Sequence, residues 1–373
     1  MKRIATLTLH RAQNYGSALQ AYALQAFLAQ LARDSKESFF HCVIDVAPPE
    51  QKEIYALYQK GAHPKALVKN ALSFYHRRAL RSKREKIERF VEKNVPLSKV
   101  CEASDLAGLA NETDVLLCGS DQIWNVRSRD FAPWFYADFQ TKAKKVSYAA
   151  SFGPLEIDWS RYDAQKFAAC LAEFDMLSVR EQASADQVLY LCQKDAQVHV
   201  DPTLLLTADD WRRVQSDADY RKGQYILLYC LEPTRAQLRF ARRISRKLRL
   251  PILITKYNNK HDVCNSFVKR YDCGPEDFLS YVDHAALVLT SSYHGTLFSV
   301  LYQKPFYVLD AANDQRISHF LGKVGMSERN LSCIEDLSRV RLTLPDYARV
   351  QTYINQARAC SREYLCRALE ISL

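Results

Sequence analysis

The stretch that most limits how this chain can fold is residues 285–309. An apolar run (286–289), a polar turn, a helical run (296–302) and a second apolar run (306–309) follow one another there. The first run has the length and branching of a buried strand, and apolar residues at helical spacing continue until Lys304-Pro305 stops them. The turn, Ser291-Ser292-Tyr293-His294-Gly295, then lies at the carboxyl end of a strand. In an open α/β sheet ligands collect at that end, and a helix start offers free N–H groups and a positive dipole end to an anion. His294 on this turn either moves a proton for a bound substrate or caps the helix without chemistry.

The rest of the chain repeats this grammar. Residues 4–9 read as a strand and 17–31 as a helix, joined by His10-Arg11-Ala12-Gln13-Asn14-Tyr15-Gly16-Ser17 with Ser17 as the expected N-cap. One glycine makes neither a GxGxxG fingerprint nor a P-loop. A strand over 39–46 ends at Pro48-Pro49, and a basic helical region follows to about Lys93. Residues 113–118 read as a buried strand opening onto Gly119-Ser120-Asp121-Gln122-Ile123-Trp124-Asn125. The Gly-Ser pair lets a ligand approach the backbone. Asp121 either accepts from hydroxyls or caps the turn, and Trp124 either offers a sugar a flat face or folds into the core.

Further strands are expected over 145–150, 176–179 and 197–200, with a helix near 159–174. Arg180 either pairs with Glu181 or clamps a phosphate or carboxylate. Asp201-Pro202-Thr203 is taken as a domain junction. A second cycle follows: strand 224–231, helix 234–248, strand 251–254 with Lys256 beyond its end, helix 275–282, the opening stretch, and a helix over 312–321 carrying Arg316. The tail, 347–369, reads as one amphipathic helix long enough to pack back. The fold expected is α/β, with two Rossmann-like domains (1–203 and 204–345) facing across a cleft and a C-terminal helix (346–373).

At 373 residues, two domains are the natural expectation. No run has the apolar length of a transmembrane helix, and the start lacks a signal peptide's apolar core, so a cytoplasmic protein is expected. Eleven cysteines without a CxxC pair suggest reduced thiols, with no metal site and no disulfide framework. The net charge of +10 is concentrated. Residues 65–93 carry ten Lys/Arg against three Glu, and 235–249 carry seven Lys/Arg and no acid, each a net of +7. For the second stretch a solvated basic face is the simpler account. For the first, attraction to anionic headgroups at the inner face of a membrane competes with it. Nucleic acid is disfavoured by the lack of interleaved aromatics.

Taken in order, Asn14-Tyr15-Gly16, Gly119-Ser120-Asp121-Gln122-Ile123-Trp124-Asn125, Ser147-Tyr148-Ala149-Ala150-Ser151-Phe152-Gly153, Ser178-Val179-Arg180-Glu181, Asp201-Pro202-Thr203 and Ser292-Tyr293-His294-Gly295 resemble the polysaccharide pyruvyl transferase family. The resemblance implies a fold similar to GT-B glycosyltransferases, phosphoenolpyruvate as donor, and a sugar of a bacterial surface polysaccharide or its lipid-linked precursor as acceptor. It implies ketal formation with His294 as general acid/base and Arg180 as an anion ligand, without a metal or a further cofactor. On the donor side it places Ser292, Tyr293, His294, Gly295 and Thr296. On the acceptor side it places Asn14, Tyr15, Gly16, Gly119, Ser120, Asp121, Trp124 and Asn125. Many members carry Arg directly before the final His, where this chain has Tyr293. Either Arg316 or Lys256 supplies the missing charge, or the chain belongs to a branch with another donor or acceptor. A glycosyltransferase with a nucleotide-sugar donor and a catalytically silent glycan-binding member are the competing readings.

Overall fold

Two parallel sheets organise the chain. The computed structural model describes residues 1–372 except 37, 50, 57–69, 71–73, 219, 258–265, 310–313 and 332–339. The first unit comprises Met1–Ile54, Val91–Leu206 and Thr352–Leu373, and the second comprises Tyr55–Phe90 and Thr207–Gln351.

In the first unit, β1 (Lys2–Leu7), β2 (Phe39–Asp45), β3 (Leu97–Val100), β4 (Val115–Cys118) and β5 (Lys144–Ser147) form a sheet of order β3-β2-β1-β4-β5, and every pairing is parallel. Bridges from Val146 to Met176 and from Ala150 to Val179 carry it on to β6 (Ser178–Val179) and β7 (Gln197–Val198). The Val-Leu-Leu-Cys of β4 is buried throughout, as a parallel strand covered on both faces requires.

The helix Tyr15–Asp34 starts two residues before the expected Ser17 cap. Asn14 is the cap, its side chain accepting from the Gly16 N–H at 3.0 Å. Ser17 is drawn away because its hydroxyl donates to Asp121 Oδ2 at 2.6 Å.

In the second unit, β8 (Ile226–Tyr229), β9 (Ile252–Ile254), β10 (Val268–Lys269), β11 (Leu287–Thr290), β12 (Phe306–Leu309) and β13 (Asn330–Leu331) form a parallel sheet of order β10-β9-β8-β11-β12-β13. This is the doubly wound order, with its switch point between β8 and β11. The helix expected over 296–302 runs instead over Tyr293–Leu301. Ser292 caps it by accepting from the Gly295 N–H at 3.4 Å, while its carbonyl accepts from the Thr296 hydroxyl at 3.0 Å. Tyr293 and His294 are therefore in the first helical turn.

Residues 55–90, expected in the first domain, belong to the second unit. The physical reason lies in the helix Arg77–Asn94. Its Ala79 and Leu80 pack against the apolar cluster of the second sheet, and Lys86 Nζ lies 2.7 Å from Asp277 Oδ2. The Lys86 stem also rests on Gly274, where a Cβ would come within 2.7 Å.

The tail forms the expected helix, Tyr347–Leu369, and packs back on the first unit from Thr352 onward. Arg358 donates to the carbonyls of Leu204 at 2.6 Å and Leu206 at 2.7 Å, and the Tyr364 hydroxyl to that of Ser147 at 2.8 Å. Among the described residues no helix is long and apolar enough to cross a membrane.

Candidate functional site

Each unit gathers sequence motifs at the carboxyl ends of its central strands. In the second unit, Thr290 closes β11 and is wholly buried. Its hydroxyl donates to the Tyr229 carbonyl at 2.7 Å and accepts from the Ser292 N–H at 3.0 Å. That pins the turn carrying His294 to the end of β8. Gly295 makes the close approach possible, since a Cβ there would sit 2.4 Å from Thr290 Oγ1 and 2.9 Å from the Tyr229 ring. His294 is 7% exposed, and its ring stands edge-on to Tyr293 at 5.4 Å.

The neighbouring strand ends add cations. Lys256 stands two residues beyond β9, where burial lowers its pKa against the pull of Glu232. Lys83, from the helix Arg77–Asn94, is pushed down to about 8 by burial; nearby Cys273 opposes the shift and Lys256 adds to it. Burial pushes the Cys230 thiol up to about 11 and raises the Tyr229 phenol, so both are neutral near pH 7. Among the described residues, Lys256 and Lys83 bring two ammoniums to this corner, with the Glu232 carboxylate near Lys256.

Arg316 lies beside Tyr293. Its guanidinium sits 5.5 Å from the centre of the Tyr293 ring, but Asp314 holds it by two hydrogen bonds of 2.9 and 2.6 Å. Burial raises the Asp314 pKa, and Arg316 more than reverses this. Much of the charge that Arg316 could bring to a ligand is already balanced.

In the first unit, the strand-end motifs are knitted to one another. Asp121 takes the Ser17 hydroxyl on one oxygen and its own following N–H, from Gln122 at 2.8 Å, on the other, which makes it a turn cap. The Ser120 hydroxyl donates to the Ala149 carbonyl at 2.8 Å, and Gly119 admits that strand because a Cβ would meet the Tyr148 carbonyl oxygen at 2.1 Å. Ser151 donates to Glu181 at 2.7 Å. Asn125 donates to Gln122 Oε1 at 2.9 Å. Tyr15 is buried.

Two of the expected site residues are enclosed. Trp124, offered as a sugar platform, is wholly buried, stacked on Tyr136 and donating to the Phe135 carbonyl at 3.1 Å. Arg180, offered as a donor clamp, has an entirely enclosed side chain with Asp201 Oδ2 at 2.6 Å, Glu181 at 3.6 Å and Asp121 at 3.9 Å. Three carboxylates thus surround the one guanidinium.

Sequence reasoning missed a further cluster beyond β1. His10 is buried, with Nε2 at 3.0 Å from Asp45 Oδ1 and Nδ1 at 3.1 Å from the Thr8 carbonyl. Arg11 grips the same carboxylate at 2.8 and 2.6 Å. Burial raises the Asp45 pKa, but the Arg11 and His10 hydrogen bonds outweigh it and hold the carboxyl well below its usual range. The available signal was topological: parallel β1 and β2 end side by side, His10 follows the end of β1, and Asp45 closes β2.

Among the described residues no group of His, Cys, Asp and Glu is placed to hold a metal ion. Compared with known families, residues 14–313 match the model for polysaccharide pyruvyl transferases. A search of curated proteins by sequence finds no match. Among solved structures, the chain is similar to a protein assigned as a UDP-N-acetylglucosamine 2-epimerase from Listeria monocytogenes. The TM-score is 0.51 at 12% identity, over 99% of this chain and 98% of that one. It is similar also to UDP-GlcNAc 2-epimerase from Neisseria meningitidis bound to UDP-GlcNAc, with TM-score 0.48 and 11% identity over 98% and 100%. The first likeness supports the fold alone: α/β, with two Rossmann-like units of GT-B type.

Proposed function

We propose that this chain, which belongs to the polysaccharide pyruvyl transferase family and is a transferase, moves the pyruvate of phosphoenolpyruvate onto a sugar of a bacterial surface polysaccharide or its precursor as a ketal. The observation that carries the reading is His294 in the first turn of the helix Tyr293–Leu301, at the switch point of the second sheet and inside the family match.

In this reading the helix start and the ammoniums of Lys256 and Lys83 hold the donor's phosphate and carboxylate. His294 delivers a proton to the donor's methylene carbon, which makes C2 electrophilic. One sugar hydroxyl adds to C2 and returns a proton to the ring. The second hydroxyl closes on C2 as the C2–O bond to phosphate breaks, and its proton leaves with the phosphate. The products are the ketal and inorganic phosphate, and the donor cations are Lys256 and Lys83 rather than Arg180.

A thermal-shift titration tests the assignment. A ligand at a hundred times its Kd stabilises the native state by about 2.7 kcal/mol. Phosphoenolpyruvate should raise Tm saturably, UDP should not, and Lys256→Met should lose most of the shift while His294→Asn keeps it. Stabilisation by UDP alone would overturn the proposal and favour a nucleotide-sugar donor.

A further inference from the structure

The two basic stretches of the sequence meet on one face of the second unit. Leu238 and Ile244 of the helix Arg235–Leu248, and Ala79 and Leu80 of the helix Arg77–Asn94, join one apolar cluster with Ile226 and Ile252 of the sheet. What these helices turn outward is largely positive. Arg78, Arg81, Arg235, Arg239, Arg246 and Arg249 are all exposed and have no carboxylate partner among the described residues. Against these stand Glu85 and Glu92, the exposed acids of the first helix, and a half-buried Glu88 that Arg84 already pairs at 2.8 Å, whereas the second helix contains no acid.

This arrangement costs stability on its own. Arginines four apart repel, and Arg77, Arg78 and Arg235 stand at helix starts, where the dipole disfavours cations. An anionic partner reverses both terms.

Two aromatics identify the kind of partner. Phe74 is 54% exposed and Tyr75 82% exposed, directly before the basic helix. They are held there by their neighbours: the Arg77 guanidinium lies 3.8 Å from the centre of the Phe74 ring, and His76 packs against Tyr257 at 5.1 Å and Tyr271 at 5.0 Å. Tyr271 is part of the buried cluster. Fixed aromatic side chains beside a field of arginine are suited to the headgroup level of a bilayer, where rings and phosphates lie together.

We propose that this face of the second unit docks on an anionic lipid bilayer, with its arginines on headgroup phosphates and Phe74 and Tyr75 at the interface. Co-sedimentation with phosphatidylcholine vesicles, with and without phosphatidylglycerol, tests it. The protein should sediment only with the anionic vesicles. Arg235→Gln, Arg239→Gln and Arg246→Gln together should weaken binding roughly a hundredfold, about fivefold for each charge. Phe74→Ser with Tyr75→Ser should remove the part of binding that survives high salt. All five side chains are exposed, so an unchanged Tm verifies that the variants fold. Sedimentation with neither vesicle, or equally with both, overturns the proposal. So does arginine-dependent binding to a DNA duplex without vesicle binding, which would assign the face to nucleic acid.

Discussion

Gly295→Ala is the sharpest perturbation of the turn that carries His294. The new Cβ would lie 2.4 Å from Thr290 Oγ1, about 1 Å inside ordinary contact. Thr290 cannot yield freely, because its hydroxyl is committed to the Tyr229 carbonyl and to the Ser292 N–H. Relief requires either breaking those buried hydrogen bonds, at about 1–3 kcal/mol for each group left unsatisfied, or lifting the helix off the sheet as overpacking does, at about 1–3 kcal/mol. Alanine returns up to about 1 kcal/mol through helix propensity. The cheaper route governs, so the expected net loss is about 1–2 kcal/mol. Trp211, the second unit's tryptophan, packs on Phe298 of the same helix with ring centroids 5.0 Å apart, so its fluorescence during urea unfolding reports the change. Thr290→Ala removes the obstructing oxygen, and in that background Gly295→Ala should cost at least 1 kcal/mol less. Costs that add within about 0.5 kcal/mol, the behaviour of independent sites, would refute the reasoning.

Three further outcomes are expected. Burial, with Arg367 adding to it, lowers the His199 pKa to about 4, so the unfolded chain takes up this proton first as pH falls. Stability should drop between about pH 6.5 and 4, by roughly 3 kcal/mol at 1.36 kcal/mol per unit, and comparing His199→Gln with the wild type by urea titration at each pH isolates that limb. Arg180→Met should cost about 3–5 kcal/mol, because three buried carboxylates lose their counter-charge, and Arg180→Lys should restore little since it cannot span them; Tm measures both. Trp124→Ala should cost about 3–5 kcal/mol as a core truncation, read as a lower urea midpoint, and Trp124→Phe should recover most of it.

Fold class was legible because the central strands of parallel sheets are continuous apolar runs. Val115–Cys118, Ile226–Tyr229 and Phe306–Leu309 fall inside stretches read as strands, and Leu287–Thr290 overruns its expected stretch, 286–289, by Thr290 alone. Edge strands were not legible, since Val268–Lys269 and Asn330–Leu331 are two residues long and show no alternation. Cap positions failed for a different reason. Ser17 is a good local cap, but its partner Asp121 lies 104 residues away, and the local competition went to Asn14. Arg180 illustrates the limit for function: a strand-end arginine looks the same in sequence whether it faces a ligand or three carboxylates. Lys83 was hidden inside a run of basic residues, and only its helix's anchorage on Gly274 and Asp277 sets it apart.

The tail helix sets an order of events during synthesis. The second unit has all of its residues once Gln351 has left the ribosome, whereas the first waits for 352–372. Until then the Ser147 carbonyl lacks the Tyr364 hydroxyl, and the Leu204 and Leu206 carbonyls lack Arg358. Chains usually finish their leading domain first. Here the portion made first is sealed last, and a nascent chain stalled short of Arg358 would expose an unfinished first unit beside a completed second one.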